Sequence, residues 1–140
     1  MMVDILTKER RSWNMSRIRG KDTGPEKSLR SLLHRAGLRF RLHKKGLPGR
    51  PDLVLARYRT AIFVHGCYWH RHHDCRFATT PSSNRQFWLD KFAGTVTRDE
   101  RNREALENLG WRVLTVWECD LNADPAGVLK STLRFLRGEN

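Results

Sequence analysis

The segment from His65 to Cys75 constrains the fold more than any other part of the chain, because it holds two cysteines and four histidines within eleven residues. No pattern of core packing explains such a density. Zinc takes four soft or borderline ligands in a tetrahedral array, and a Cys/His mixture supplies them. Cys67, His72 and Cys75 can wrap a tight loop around one ion, and Cys119 is available as the fourth ligand.

A zinc site of this kind would be structural, because four protein ligands leave no open position for water. It would tie an irregular loop to a distant strand end, and such sites contribute on the order of 10 kcal/mol to folding. Two alternatives remain open. The thiols could be free and buried beside surface histidines, and His73 could replace its neighbour His72 as a ligand.

Hydrophobic periodicity predicts helices and strands on both sides of this segment. The sequence from Thr23 to Glu26 has the spacing of a capping box, and the helix that it opens should end near Gly37. The other predicted helices cover about 85–93, about 97–109 and a last one after Asp124-Pro125. Strands are predicted over 38–42, 52–56, 60–64 and 112–117. This order predicts an α/β/α sandwich, a sheet between helices.

Positive charge is concentrated in the first part of the chain. The 140 residues include 27 basic and 15 acidic ones, and residues 1–50 hold 14 of the basic but only four of the acidic residues. Such a chain is attracted to polyanions such as nucleic acids. We interpret residues 1–22 as a basic arm along DNA, with Arg17, Arg19 and Lys21 on phosphates. A frayed terminus, a solvated basic face or an acidic membrane surface is the alternative.

The length and the apolar content of the chain also restrict its organisation. It is long enough to bury its own hydrophobic core, and residues 1–140 are expected to form a single domain. No stretch is long enough to span a bilayer, and the N-terminus lacks the apolar region of a signal peptide. The chain is therefore expected in the cytoplasm, where its three cysteines should be thiols or metal ligands.

A second group of residues has the chemistry of phosphodiester hydrolysis. Asp52 opens a predicted strand near a sheet edge, where a carboxylate can bind Mg²⁺. Strand pairing would bring it close to the Val64 main-chain carbonyl and to His65, with His70 just beyond. Hydrolysis requires a metal to neutralise the phosphate and a base for water, and histidine suits the base role. Each residue alone is better interpreted as structural, whereas the set together favours catalysis.

Four stretches of the chain together resemble the very-short-patch-repair (Vsr) endonucleases. They are LPGRPD at 47–52, FVHGCYWH at 63–70, FWLDK at 87–91 and GWRVLTVWEC at 110–119. The resemblance runs from about Arg11 to Cys119. It implies a restriction-endonuclease fold, a mixed central sheet flanked by helices. It also implies a Mg²⁺-dependent enzyme that cuts 5′ to the mispaired thymine of a T·G mismatch left by deamination of 5-methylcytosine.

The resemblance assigns catalytic roles position by position. Asp52 and the Val64 carbonyl would bind Mg²⁺, His70 would prepare the water and His65 would lie near the phosphate. Two further active-site acids would be Glu26 and Asp99. The zinc ligands would be Cys67, His72, Cys75 and Cys119, with the choice between His72 and His73 still open.

The Vsr resemblance also assigns a DNA-distorting role to aromatic side chains, because the family wedges them into the duplex beside the mismatch. The matching residues are Tyr68, Trp69 and Trp88. Unstacking a base step costs roughly a few kcal/mol, and least where pairing is already imperfect. Planar side chains return about 1–3 kcal/mol per base by stacking. Core packing is the alternative for Tyr68, and we interpret Trp111 and Trp117 as packing residues.

The resemblance further implies a bacterial, nucleoid-associated protein that contacts double-stranded DNA and mismatch-repair proteins, and a monomer suits an asymmetric lesion. Phe63-Val64-His65 replaces the acidic residue, spacer and lysine of general restriction nucleases, a departure that Vsr-like proteins share. Two other functions remain open, a zinc-stabilised DNA-binding module without catalysis and a nuclease of the same fold with a different target. The DNA-binding module without catalysis gives Asp52, His65 and His70 no role.

Overall fold

The computed structural model describes residues 23–139. The predicted arm, with Arg17, Arg19 and Lys21, lies outside the described residues, so its phosphate contacts stay a prediction. The elements are α1 (Gly24–Arg35), β1 (Arg41–Leu42), β2 (Leu53–Leu55), β3 (Thr60–His65), α2 (Arg85–Asn108), β4 (Arg112–Trp117), α3 (Glu118–Ala123) and α4 (Pro125–Leu136). None of these described helices is long and apolar enough to cross a membrane.

The four strands form one mixed sheet in the order β1-β2-β3-β4. β2 is antiparallel to both of its neighbours, β1 and β3, with Leu53 opposite Ile62. β3 and β4 are parallel, with His65 opposite Trp117, and the long helix α2 makes the crossover that a parallel pair requires. The predicted mixed sheet flanked by helices is confirmed.

Side chains of the sheet alternate between two cores, because successive residues of a strand point to opposite faces. Leu53 and Leu55 pack on one face, whereas Val54 packs on the other. The first core also contains Leu29, Leu33, Ile62, Val116, Leu121 and Leu136, and the second contains Ala61, Leu106, Trp111 and Val113. Helices therefore cover both faces, as the sandwich prediction requires.

The helix α1 begins and ends where the sequence predicts. The Thr23 side chain accepts a hydrogen bond from the Glu26 N–H at 3.3 Å, and Pro25 stands in the first turn. Gly37 follows the helix at a φ of 90°, a left-handed conformation that costs glycine little. This first turn brings Glu26 into the interior, where the residue is only 2% exposed.

The predicted strand over 38–42 is wrong for its first three residues. The Arg39 guanidinium donates to the carbonyls of His34 and Leu38 at 3.2 and 2.9 Å, which ties this segment to the end of α1. Pairing with β2 begins at Arg41, and both side chains of β1 are exposed at the sheet edge.

The two helices predicted over 85–93 and 97–109 are one continuous helix, α2. Gly94 does not interrupt it, since an exposed glycine costs a helix only about 1 kcal/mol relative to alanine. Phe92 and Leu106 are buried and anchor the two halves. The sequence also misses α3, because six residues with Leu121 as the only buried one show no periodicity.

Candidate active site

The predicted catalytic residues meet at one end of the sheet. Asp52 directly precedes β2, and His65 and Trp117 are the last residues of β3 and β4. Because β2 runs antiparallel to β3, all three lie at the same end. An open cleft of about 1020 Å³ lies there, and its lining includes Glu26, Asp52, His65, His70 and Asp99. The structure thus brings all five predicted catalytic side chains into one cleft.

Two acids form one part of this cleft. The Asp52 carboxylate accepts a hydrogen bond from the Val64 N–H at 2.7 Å, and Glu26 accepts one from Arg30 at 3.0 Å. Burial raises the pKa of Asp52 to about 7, the Val64 hydrogen bond opposes this, and the neighbouring Glu26 raises it further. Adjacent buried carboxylates are unfavourable when both are ionised, and a hard divalent cation relieves that repulsion. The oxygen donors therefore fit Mg²⁺.

A hydrogen-bonded pair, His70 and Asp99, forms another part. His70 Nδ1 lies 2.7 Å from Asp99 Oδ2, and each side chain is 28% exposed. Because the carboxylate accepts from Nδ1–H, the other ring nitrogen, Nε2, is left to accept a proton. The carboxylate also stabilises the imidazolium that would form, so the pair has the chemistry of an oriented general base.

His65 stacks on this pair. Its ring is parallel to that of His70 at a centroid distance of 3.8 Å and meets Trp117 edge-on at 5.3 Å. Burial lowers the pKa of His65 to about 4, and the neighbouring His70 lowers it further. His65 is therefore neutral at neutral pH, and its ring can donate or accept one hydrogen bond in the cleft.

The predicted zinc ligands also come together. The ligand atoms of Cys67, His72, Cys75 and Cys119 lie within 4.8 Å of one another. His72 Nδ1 is 3.6 Å from Cys67 Sγ and 3.3 Å from Cys119 Sγ. Burial and the thiols of Cys67 and Cys75 raise the pKa of Cys119 to about 12. Three sulfur donors and one imidazole are a donor set typical of structural zinc, so this cluster could hold the ion.

The geometry separates the two candidate histidines. The His73 side chain is 94% exposed and pairs with Asp74 at 3.1 Å, away from the thiols. The His72 ring stacks on Trp117 at 4.2 Å, which fixes it beside Cys119. The structure therefore favours His72 as the ligand, and it gives Trp117 the packing role that the sequence predicts.

Aromatic residues form a further group, which extends from the cleft to α2 and which we call the aromatic cluster: Tyr68 and Trp69, which line the cleft, and Phe87, Trp88 and Phe92 of α2. Phe92 is buried at its centre, with ring centroids of Tyr68 at 5.2 Å, Trp69 at 6.2 Å and Trp88 at 5.9 Å. Phe87 contacts Trp88 and is 60% exposed. The three aromatic residues predicted to contact DNA therefore share one surface, which is supported from below by Phe92.

Comparison with known proteins identifies the family. The family model of the DNA mismatch endonuclease Vsr matches residues 3–76, more than half of the chain. The chain belongs to the Vsr family. It is 50% identical over 120 residues to the DNA mismatch endonuclease Vsr of Escherichia coli, covering 86% of this chain and 76% of that protein.

Another relative is a type II nicking enzyme, V.XorIIP of Xanthomonas oryzae, which is 47% identical over 133 residues, 95% of this chain and 96% of that protein. A solved structure, the catalytic domain of the homing endonuclease I-Bth0305I, superposes with a TM-score of 0.57 at 24% identity. That match covers 81% of this chain and 94% of the domain and shows the fold. Together with the relatives, membership of the Vsr family identifies the chain as a DNA endonuclease, which sets aside the DNA-binding module without catalysis.

Three further residues of this Vsr protein were not predicted from the sequence, and two of them, His43 and Arg103, line the cleft. His43 lies 3.4 Å from Glu26, and Arg103 donates to the Thr115 hydroxyl at 3.2 Å. Arg103 follows Asp99 by four residues on α2, a spacing that could have indicated it. His43 has a weaker signal, as a histidine just after a strand that pairs with the strand of Asp52.

The third missed residue, Arg71, closes the loop between the zinc ligands and α2. Its guanidinium donates to the carbonyls of Tyr68, Ala78 and Thr79 and to the Thr80 hydroxyl, at 2.8 to 3.0 Å. It also lies 4.0 Å from the centroid of the Phe92 ring. Arg71 thus joins the loop to the aromatic cluster of this Vsr protein, a contact that no local pattern reveals.

Proposed function

We propose that this chain is a Mg²⁺-dependent endonuclease that nicks one strand of duplex DNA 5′ to the mispaired thymine of a T·G mismatch, the product of 5-methylcytosine deamination. One observation carries the proposal: the cleft that holds Asp52 also holds the His70–Asp99 pair. The relatives are named a mismatch endonuclease and a nicking enzyme, which supports a single-strand cut.

Asp52, Glu26 and the Val64 main-chain carbonyl would hold the Mg²⁺. In an extended strand the N–H and C=O of one residue point to the same side, and the Val64 N–H already faces Asp52. The bound ion would supply Lewis-acid chemistry, because it offsets the negative charge that the phosphate develops in the transition state.

The protein's own residues would move the proton. His70 Nε2 takes a proton from the attacking water, while Asp99 holds Nδ1 and stabilises the resulting imidazolium. His65 stays neutral on the stacked face of His70 and donates a hydrogen bond to the phosphate. Of the two stacked rings only His70 becomes positively charged, so there is no repulsion between two imidazolium groups.

The aromatic cluster would recognise the mismatch. Tyr68 and Trp69 line the same cleft as His65 and His70, and Trp88 contacts Trp69, so their insertion into a weakened base step would also position the neighbouring phosphate. Zinc bound by Cys67, His72, Cys75 and Cys119 would hold the segment that carries both groups. The basic residues Arg17, Arg19 and Lys21 would fix the register by phosphate contacts.

The test is strand-resolved cleavage of end-labelled duplexes that differ only in one pair, T·G or T·A. Reactions with Mg²⁺ and with EDTA are run in parallel, together with Asp52→Ala. We expect a nick 5′ to the thymine of the mismatched strand alone, only with Mg²⁺, and none with Asp52→Ala, whose zinc content and thermal unfolding should match those of the wild type. Cleavage by Asp52→Ala would remove Asp52 from the metal site.

A nuclease of the same fold with a different target is the second candidate, because several relatives are named type II nicking enzymes. Duplexes with several flanking sequences, including methylated cytosine-methyltransferase sites, separate the two. Equal cleavage of T·G and T·A duplexes would keep the nuclease and reject mismatch specificity. We also propose that the enzyme acts as a monomer and contacts mismatch-repair proteins, which light scattering and pull-down with those purified proteins would test.

A further inference from the structure

His43 has an unusual backbone conformation next to the catalytic acid. Its φ is 46°, in the left-handed region that a residue with a side chain seldom occupies. Its N–H donates to the Asp52 carbonyl at 3.2 Å. Strained backbone of this kind persists where surrounding contacts hold it, and it is common at functional sites. The fold therefore places the His43 side chain beside Asp52 in spite of a conformational cost.

The contacts of the His43 imidazole indicate which ring nitrogen carries the proton. His43 Nε2 lies 3.0 Å from an Arg30 guanidinium nitrogen and 3.4 Å from Glu26 Oε2. A guanidinium has only donors, so at the shorter distance Nε2 must accept. The ring proton is then placed on Nδ1. Nδ1 faces Asp52 Oδ1 at 3.9 Å.

The two oxygens of Asp52 are thus approached from two directions. Oδ2 accepts from the Val64 N–H at 2.7 Å, and Oδ1 faces the His43 Nδ1–H. The second contact is roughly an ångström longer than a hydrogen bond, and contacts of this kind tighten when substrate and ligands bind. Arg30 donates to Glu26 at 3.0 Å as well, so its guanidinium joins Glu26 to His43, and His43 in turn approaches Asp52.

We propose that His43 is a positioning residue that holds the Asp52 carboxylate for the divalent cation, with Arg30 fixing the tautomer of its ring. This inference rests on the proposed metal role of Asp52. Outer partners that orient a metal ligand are commonly worth about 10- to 100-fold in metal affinity or activity when they are removed. The sequence alone gives His43 no such role, because its contacts come from Glu26 and Arg30 on α1 and from Asp52 in the segment before β2.

The main test uses His43→Gly, which removes the imidazole but suits the left-handed backbone. Binding of Mn²⁺, a spectroscopic substitute for Mg²⁺, is measured without DNA by the electron paramagnetic resonance of the free ion. We expect the Mn²⁺ dissociation constant of His43→Gly to rise about tenfold or more, and the Mg²⁺ concentration for half-maximal nicking to rise in parallel. His43→Asn, whose amide can also donate, should recover part of both.

The control is His34→Ala, an exposed histidine on α1, which should bind Mn²⁺ and nick like the wild type. Thermal unfolding of His43→Gly should stay within a few degrees of the wild type, because relief of backbone strain offsets the lost contacts. Wild-type Mn²⁺ affinity in folded His43→Gly would overturn the proposal. So would weaker DNA binding with an unchanged Mn²⁺ affinity, since that would make His43 a DNA contact.

A second measurement does not depend on any variant. Long-range ¹H–¹⁵N correlation of the histidine rings should show Nδ1 protonated and Nε2 unprotonated for His43, and Arg30→Met should shift that equilibrium toward the other tautomer. A protonated Nε2 in the wild type would overturn the assignment. If the wild-type enzyme does not nick the T·G duplex, the proposed function is wrong. If the wild-type enzyme nicks it and His43→Gly binds Mn²⁺ with unchanged affinity, only the role of His43 is wrong.

Discussion

The hydrogen bond between His70 and Asp99 offers the sharpest test of the catalytic proposal. Asp99→Asn keeps the shape of the side chain and removes its charge. The asparagine can still accept from His70 Nδ1–H through its oxygen, but it no longer stabilises an imidazolium. If its NH₂ group faces the ring instead, it imposes the tautomer in which Nε2 carries the proton and cannot act as a base.

The size of the effect follows from the contact. A hydrogen bond to a charged group contributes about 1.5–3 kcal/mol. Each 1.36 kcal/mol in the barrier changes a rate by about tenfold, so Asp99→Asn should slow the chemical step about 10- to 100-fold. His70 and Asp99 are each 28% exposed in an open cleft, and water there weakens the electrostatic attraction between the carboxylate and the imidazolium. The lower half of that range is therefore expected.

The assay is single-turnover nicking of a T·G duplex with enzyme in excess, which isolates chemistry from product release. Duplex affinity is measured separately with Ca²⁺ in place of Mg²⁺. The matched control is Glu104→Gln, which removes one negative charge from an exposed position on the same helix. A wild-type rate for Asp99→Asn would refute the oriented base, and equal slowing by Glu104→Gln would show that only the net charge of α2 matters.

Three further predictions address the zinc cluster, the loop and the aromatic cluster. Cys119→Ser should lower the zinc content and the midpoint of thermal unfolding, while His73→Ala should change neither. Metal analysis and calorimetry measure the two quantities, and a full zinc content in Cys119→Ser would exclude Cys119 as a ligand. Arg71→Lys should lose at least one of the four loop hydrogen bonds, because an ammonium has only three donors, destabilise the loop by about 1–3 kcal/mol and accelerate its amide hydrogen exchange; unchanged exchange would contradict this. Trp88→Ala should weaken binding of the T·G duplex about 10- to 100-fold, and more than binding of T·A, in fluorescence titrations; an equal loss on both duplexes would argue against recognition of the mismatch.

Elements with strong local signals were predictable from the sequence. Asp124 and Pro125 mark the start of α4, where the Asp124 carboxylate accepts from the Gly127 N–H at 3.0 Å. Buried strands with apolar runs were equally clear, since β3 and β4 appear within one residue of their predicted bounds. The elements that differ are those set by tertiary contacts. Arg39 shortens the edge strand, and buried Phe92 and Leu106 carry α2 through Gly94.

The residues of the candidate site likewise fall into those that the sequence predicts and those that only tertiary contacts reveal. Residues within the His-Gly-Cys-aromatic-Trp-His run could be proposed because their types are unusual together, and Asp52 because it opens a strand. His43 had only a weak positional signal and Arg71 had none, since a histidine or an arginine alone carries no chemical signature. Their roles arise from contacts with residues that only the folded chain brings near, Asp52 for His43 and Phe92 for Arg71.

The position of His70 explains why a catalytic segment would need a structural metal. The residue lies between Cys67 and His72 in a segment with no regular secondary structure, and Arg71 next to it has a φ of 53°. Backbone without a ladder of hydrogen bonds is easily displaced, and a base misplaced by an ångström can lose about 100-fold in rate. The hydrogen bond to Asp99 orients the ring but does not fix the backbone. Ligands on either side of His70, joined through Cys119 to the end of β4, would fix it to the sheet that also positions Asp52. Zinc would then hold His70 at a fixed position relative to Asp52. A loss of zinc should therefore impair nicking even where Asp52 remains in place.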